Sequence, residues 1–235
     1  MKHIHTQDFS YTVRMLDIED LANILLLQET IYKTLPEDQK NFIIPKSAEQ
    51  FCVRLNGQGH MIGAYYGPQL IGYGAVAFAK PYKPIADMVI DPAKVPYKSE
   101  ELAVLQSSVV DPAFRKQGVH FHMLQAELEI CQEYGKTHVM GEVAATNTAS
   151  LKSFLKIGMA VQMAGTDPVD ACPLLFLHKK IAAVPVYEEK PAYSFMLPGI
   201  MAQLNDYLSH GLSGTGLLFS PEASGPQLQL HALAL

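Results

Sequence analysis

Paired cysteines, long apolar runs and any excess of positive charge are absent from this 235-residue chain, and each absence removes a class of function. The three cysteines, Cys52, Cys131 and Cys172, are scattered and odd in number. They offer neither the spacing of a zinc site nor a disulfide framework, so no metal is expected and a reducing compartment fits best. No apolar stretch approaches the roughly 20 residues of a membrane span, and the opening MKHIHTQDFSYTVR lacks the continuous apolar segment of a signal peptide. The expectation is a cytoplasmic protein with no membrane partner. A formal net charge of −5, with lysines spread along the chain, gives no field that would gather nucleic acid. What the chain does have is 49% hydrophobic residues, enough to bury one domain plus a modest appendage, or two small domains.

Hydrophobic spacing predicts a strand at Tyr11–Met15, then Asp17 as a helix N-cap followed by Leu21, Ile24, Leu25, Leu27 and Ile31 at helical intervals. A short helix is expected over Ser47–Leu55. Strands Met61–Tyr66 and Leu70–Ala79, joined at Gly67-Pro68-Gln69, read as a hairpin. Pro81, Pro84, Pro92 and Pro96 make Pro81–Ser99 a long loop, either a wall of a substrate pocket or a surface excursion. A strand at Leu102–Val110 follows, stopped by Asp111-Pro112, and then a helix from about Lys116 to Tyr134. Its apolar stripe is Val119, Met123, Ala126, Ile130 and Tyr134, with His122, Gln125, Glu129 and Gln132 opposite. Gly135 ends it. A strand at His138–Val143, a helix at Thr148–Ile157 capped by Gly158, and strands near Met159–Ala164 and Leu174–Lys179 complete an α/β alternation over residues 1–180. Residues 181–235 read as an appendage: an irregular proline-punctuated stretch, a helix over Ile200–Leu208 and a Gly/Ser/Pro-rich tail. The stripe Ile200, Met201, Leu204 and Leu208 must be buried on the core or across a dimer interface.

The segment from Val110 to His120, VDPAFRKQGVH, runs from a strand through a turn to a helix start. Such a junction presents unpaired main-chain N–H groups and the positive end of the helix dipole, which suits a pyrophosphate. Gly118 lets the main chain approach such a ligand, and Arg115 and Lys116 add positive charge. Arg115-x-x-Gly118-x-His120 resembles the R/Q-x-x-G-x-G/A coenzyme A signature of GNAT acetyltransferases. Glu142-Val143 followed by Asn147-x-x-Ser150-x-x-x-Phe154-x-x-x-Gly158-Met159 resembles the second motif of that family, and the likeness spans roughly Tyr11–Lys180.

The resemblance implies a mixed, mostly antiparallel sheet flanked by helices, splayed between the Leu102–Val110 and His138–Val143 strands to admit acetyl-CoA. It implies that Ser108, Val109 and Val110 pair with the pantetheine arm and supply an N–H to the thioester oxygen. Lys116, Gln117, Gly118, Val119, His120 and Phe121 would cradle the pyrophosphate, Asn147 would contact the cofactor arm, and Glu142 would be the general base. The acceptor it implies is an amine, on a small molecule or a peptide. Two positions depart from the pattern. His120 replaces a small residue, which tightens the cradle or adds a ring to it. Phe154 stands where many members place a tyrosine that protonates the departing thiolate, and phenylalanine has no proton to give. A catalytically weak acyl-CoA-binding or regulatory protein is therefore a second reading, and a nucleotide-binding module a third.

Each residue also has a plainer reading. Glu142 suits a salt bridge or a solvated strand edge as well as a catalytic base. Asn147 suits a helix cap as well as a cofactor contact. His120 and His122, two apart on a helix, cannot chelate one ion together, and Cys131 fits a small core residue. Tyr82 and Tyr97 line a pocket or anchor their loop. Asp167 and Asp170 attract a cationic amine or form a turn beside Pro168.

Overall fold

The computed structural model describes residues 1–6, 9–78, 97–168, 170–183, 185–199, 201–218 and 225–234. They form two compact units, one running through Thr137 and the other from His138. In the first, strands β1 (Lys2–His5), β2 (Ser10–Met15), β3 (Gly59–Tyr66), β4 (Gln69–Phe78) and β5 (Leu102–Val110) pair antiparallel in that order. Its helices are α1 (Leu21–Thr34), α2 (Ala48–Val53) and α3 (Val119–Glu133). Alternation along β3 and β4 explains why both read as continuous apolar runs. Met61, Tyr65, Tyr73 and Ala75 join a core with Ile24, Leu27 and Ile31 of α1 and Phe51 of α2. Ile62, Ala64 and Ile71 join Val119, Met123, Ala126 and Ile130 of α3 in another. The expected loop Pro81–Ser99 lies almost wholly outside the described residues, and so does Tyr82.

Asp17 caps the chain's entry into α1: its Oδ1 accepts the Glu19 N–H (2.9 Å), while Asp20 Oδ2 accepts the Asp17 N–H (3.0 Å). Asp20 also takes a two-pronged bond from Arg14 (2.8 and 2.7 Å) and the Tyr65 hydroxyl (2.6 Å). Burial works to raise this carboxyl, but the bonds from Arg14, Tyr65 and Asp17 outweigh it and hold its pKa at about 2. The folded pKa lies below the unfolded one. The resulting stability is thus complete above about pH 4 and lost toward pH 2, on the order of 2 kcal/mol in all. Acid denaturation beside Asp20→Asn should show a stability gap at neutral pH that closes over this window; a gap independent of pH would contradict it.

In the second unit, β6 (His138–Ala144), β7 (Ala160–Thr166), β8 (Pro173–Lys180), β9 (Tyr193–Met196), β10 (Leu212–Leu218) and β11 (Gln227–Ala232) form antiparallel ladders in the order β6-β8-β7-β10-β11-β9. Helix α4 (Thr148–Lys156) ends as expected at left-handed Gly158 (φ 81°), with Met159 N–H bonded back to Phe154 O and Gly158 N–H to Leu155 O. Helix α5 (Met201–Ser209) packs on β7 and buries Met201, Leu204 and Leu208. Residues after Lys180 therefore carry three strands that the sequence reading leaves as irregular chain, and β1 is a fourth unexpected strand. Tyr134, expected in the buried stripe of α3, is 51% exposed, because the helix has already ended at Glu133; its ring packs on His60 and Phe78 instead. Among the described residues no helix is long and apolar enough to cross a membrane.

Candidate functional site

The register of β5 slips near its end: Tyr73 faces Val109 while Ala75 faces Gln106, so β5 carries one extra residue, with Ser107 at φ 53°. A bulge of this kind turns main-chain groups out of the ladder and re-aims them. Ser108, Val109 and Val110 follow it directly. The Asp111 N–H then bonds to Ile71 O (2.9 Å), its Oδ1 accepts the Ala113 N–H (2.9 Å), and Pro112–Phe114 form a single tight turn. Arg115 folds back, its Nε donating to Val110 O (3.1 Å), which ties the turn to the strand end.

Lys116 (φ 65°) and Gly118 (φ 81°) are both left-handed, with Gln117 between them. Alternation of this sort points successive N–H groups to one side, the concavity that binds anions. For this reason α3 begins at Val119, three residues later than its sequence suggests. The N–H groups of Val119, His120 and Phe121 have no acceptor within the helix, and its dipole adds positive character at their end. Arg115 and Lys116 are exposed beside them. His120 brings no charge: burial lowers its pKa to about 4, so the ring is neutral at neutral pH. His122, expected on the solvent face, is half-buried, its Nδ1 2.5 Å from the Tyr11 hydroxyl. A Cβ on Gly118 would make only ordinary contact with the His122 ring (3.4 Å), so the backbone conformation rather than a clash demands glycine there. A β-branched residue has to leave φ 81° and carry the turn with it. Gly118→Val should therefore weaken acetyl-CoA binding by about tenfold or more, roughly 1.4 kcal/mol, without unfolding the protein. Calorimetric titration checks this; wild-type affinity in the folded variant would remove the cradle assignment.

These residues all lie in the first unit, whereas Glu142, Asn147 and Phe154 lie in the second. Glu142 sits half-buried in β6, opposite Phe176 of β8 and between buried Gly141 and Val143. Asn147 caps α4, its Oδ1 accepting the Ser150 N–H (3.2 Å). Phe154 is buried on α4. Asp170 serves a turn, its Oδ1 accepting the Cys172 N–H (2.9 Å), and Asp167 bonds across it to Cys172 O through its own N–H (2.9 Å). Cys131 is a core residue whose thiol burial, and after it Glu127, pushes up to about 12. Among the described residues no three His, Cys, Asp or Glu side chains are placed to hold a metal. The sequence reading missed Glu127 of α3, a fully buried carboxyl. Its signal was available: Met123 and Cys131 stand four residues to either side of it, both buried.

A model of the acetyltransferase (GNAT) family matches residues 19–159, more than half the chain, from the turn before α1 past the end of α4. The chain belongs to the GNAT acetyltransferase family. No curated protein matches it in sequence. Among solved structures it is similar to an N-acetyltransferase from Staphylococcus aureus, with 16% identity and a TM-score of 0.55 over 73% of this chain and 98% of that one. It is similar to yncA of Salmonella typhimurium, a putative acetyltransferase solved with its cofactor acetyl-CoA (14%, TM-score 0.55, 74% and 95% covered). It is also similar to the GNAT domain of S. lividans PAT (15%, TM-score 0.55, 76% and 95% covered). The mixed α/β sheet with flanking helices expected from the sequence is the fold of these GNAT structures, and membership implies acetyl-CoA-dependent acyl transfer.

Proposed function

We propose that this GNAT protein is an N-acetyltransferase, in which a primary amine attacks the thioester of acetyl-CoA directly. The observation that carries this reading is the turn with left-handed Lys116 and Gly118, set between the bulged end of β5 and the start of α3. The N–H groups of Lys116–Phe121 hold the pyrophosphate, with Arg115 fixing the turn. The main chain of Ser108, Val109 and Val110 holds the pantetheine arm and gives an N–H to the thioester oxygen, where negative charge grows as the amine adds. Holding amine and thioester side by side supplies most of the rate, and no metal is needed. An alkyl ammonium must lose a proton before it can attack. Glu142 takes that proton, directly or through water. Asn147, with Oδ1 engaged in capping, contacts the cofactor arm through the rest of its amide. The composition supports a cytoplasmic location.

The buried Phe154 motivates the rival reading, an acyl-CoA-binding or regulatory protein with little turnover. Release of coenzyme A thiol from acetyl-CoA, followed across peptides, lysine, polyamines and amino sugars, separates the two. Transferase action gives amine-dependent release; affinity for acetyl-CoA without it would establish the rival. Displacement of acetyl-CoA by ATP would instead mark a nucleotide-binding module.

A further inference from the structure

Glu127 has no part in the reaction so far. It sits two turns into α3, is 0% exposed, and neither of its carboxyl oxygens makes a hydrogen bond among the described residues. A Cβ built on Gly74 of β4 would lie 2.1 Å from Glu127 Oε1 and 3.0 Å from Ser108 Oγ. The glycine thus leaves open the place where the acid and the β5 hydroxyl come near each other. A carboxylate buried without partners is very costly, so the group is kept as the neutral acid, and burial raises its pKa well above the usual carboxylate range. Among the described residues, the groups shown beside it are uncharged. On α3 the Cys131 thiol is held up to about 12. β3 contributes Ile62 and Ala64, β4 Gly74 and β5 Ser108. At the far end of the helix, Lys136 bonds to Glu100 O and stands over the Phe78 ring. A neutral carboxylic acid is a donor, and among the described residues this one makes no hydrogen bond at rest.

We propose that Glu127 is the proton reserve of the acyl transfer, passing its proton through the Ser108 hydroxyl to the departing coenzyme A thiolate. This rests on the acetyl-CoA reading above and fills the role that Phe154 cannot. The C–N bond forms, the C–S bond breaks, and the electron pair stays on sulfur. Sulfur takes the proton of Ser108 Oγ, and Oγ takes the proton of Glu127. The carboxylate recovers a proton from solvent by the same path once coenzyme A has left; Glu142, having passed the ammonium's extra proton to solvent, takes the second proton that nitrogen sheds as the amide forms. Amine and thioester thus become amide and thiol with no proton unaccounted for.

The test uses hydroxylamine as nucleophile, because its nitrogen is already neutral at neutral pH, and reads thiol release from saturating acetyl-CoA as a function of pH. In the wild type kcat should fall at high pH as Glu127 loses its proton. Glu127→Gln keeps shape and neutrality but cannot give the proton up. It should lower kcat by about tenfold or more at neutral pH, abolish the high-pH decline, and leave acetyl-CoA affinity unchanged. Ser108→Ala keeps the main-chain N–H and should give a similar loss, and the double variant should be no worse than either single one. A Glu127→Gln protein with wild-type kcat and the same decline would overturn the proposal. If that variant does not fold, Ser108→Ala decides alone, and wild-type behaviour there overturns it equally. A wild type that fails to bind acetyl-CoA, or binds it and releases no thiol to the nucleophile, would remove the underlying acyl-transfer reading instead.

Discussion

Glu142→Gln is expected to lower kcat by about 10²–10⁴-fold with a verified amine while acetyl-CoA affinity stays near wild type. The substitution keeps the size and shape of the side chain and removes only its capacity to accept a proton. Glu142 is half-buried in β6 between buried Gly141 and Val143, so an isosteric change there should not disturb the strand. If it takes the amine's proton, the wild-type rate should climb with pH until base and substrate are both in reactive form. The variant should recover part of its deficit at high pH, where more of the amine is already neutral. Steady-state rates across pH, alongside calorimetric affinities, check both parts. A variant that matched wild-type kcat over the whole range would show that the proton leaves through water or another side chain.

Truncation after Lys180 is expected to leave a chain that no longer folds stably. Leu204, Leu228 and Leu230 are 0% exposed, and Phe195 and Leu208 nearly so. Each buried side chain of this kind contributes roughly 1.5–3 kcal/mol, so together they match the 5–15 kcal/mol on which a typical protein stands. The cut also strips α5 from β7 and exposes the β7 edge that pairs with β10 at Gly214 and Val161. An open apolar edge invites association between chains. Melting followed by circular dichroism should show a lost or strongly lowered transition, and light scattering should show aggregation. Unaltered melting and size would mean that residues 181–235, more than half of the second unit, are dispensable.

The sequence announces its elements where local chemistry and packing agree. β5 runs from Leu102 to Val110 because an apolar run ends at Asp111-Pro112, and α3 and α4 end where Gly135 and Gly158 supply the left-handed residue. Ser47 and Gln50 form a capping box that fixes the start of α2. Where tertiary contact overrides local preference, the pattern misleads. Gly214 and Gly216 read as loop residues, yet a Cβ on Gly214 would sit 2.9 Å from Val161 Cβ and 2.8 Å from Leu228, so β10 requires a glycine there to lie against its neighbours. Lys116 looks like a first-turn helix residue, and its left-handed backbone shows only once the turn is folded. The left-handed turn at Gly118 is legible because glycine marks it. The bulge at Ser107 is not, since nothing in Gln106-Ser107-Ser108 distinguishes an extra residue from a regular strand, and Glu127 reads as one more polar residue on a helix.

The most direct measurement follows the acetyl group itself. Isotopically labelled acetyl-CoA is incubated with wild-type protein and the panel of amines, and the products are weighed by mass spectrometry. At least one amine should gain the labelled acetyl group in step with coenzyme A release, and Gly118→Val at the same subsaturating acetyl-CoA should show that transfer reduced by about tenfold or more. Label that stays on coenzyme A with every amine, while the protein binds the cofactor tightly, would contradict the account.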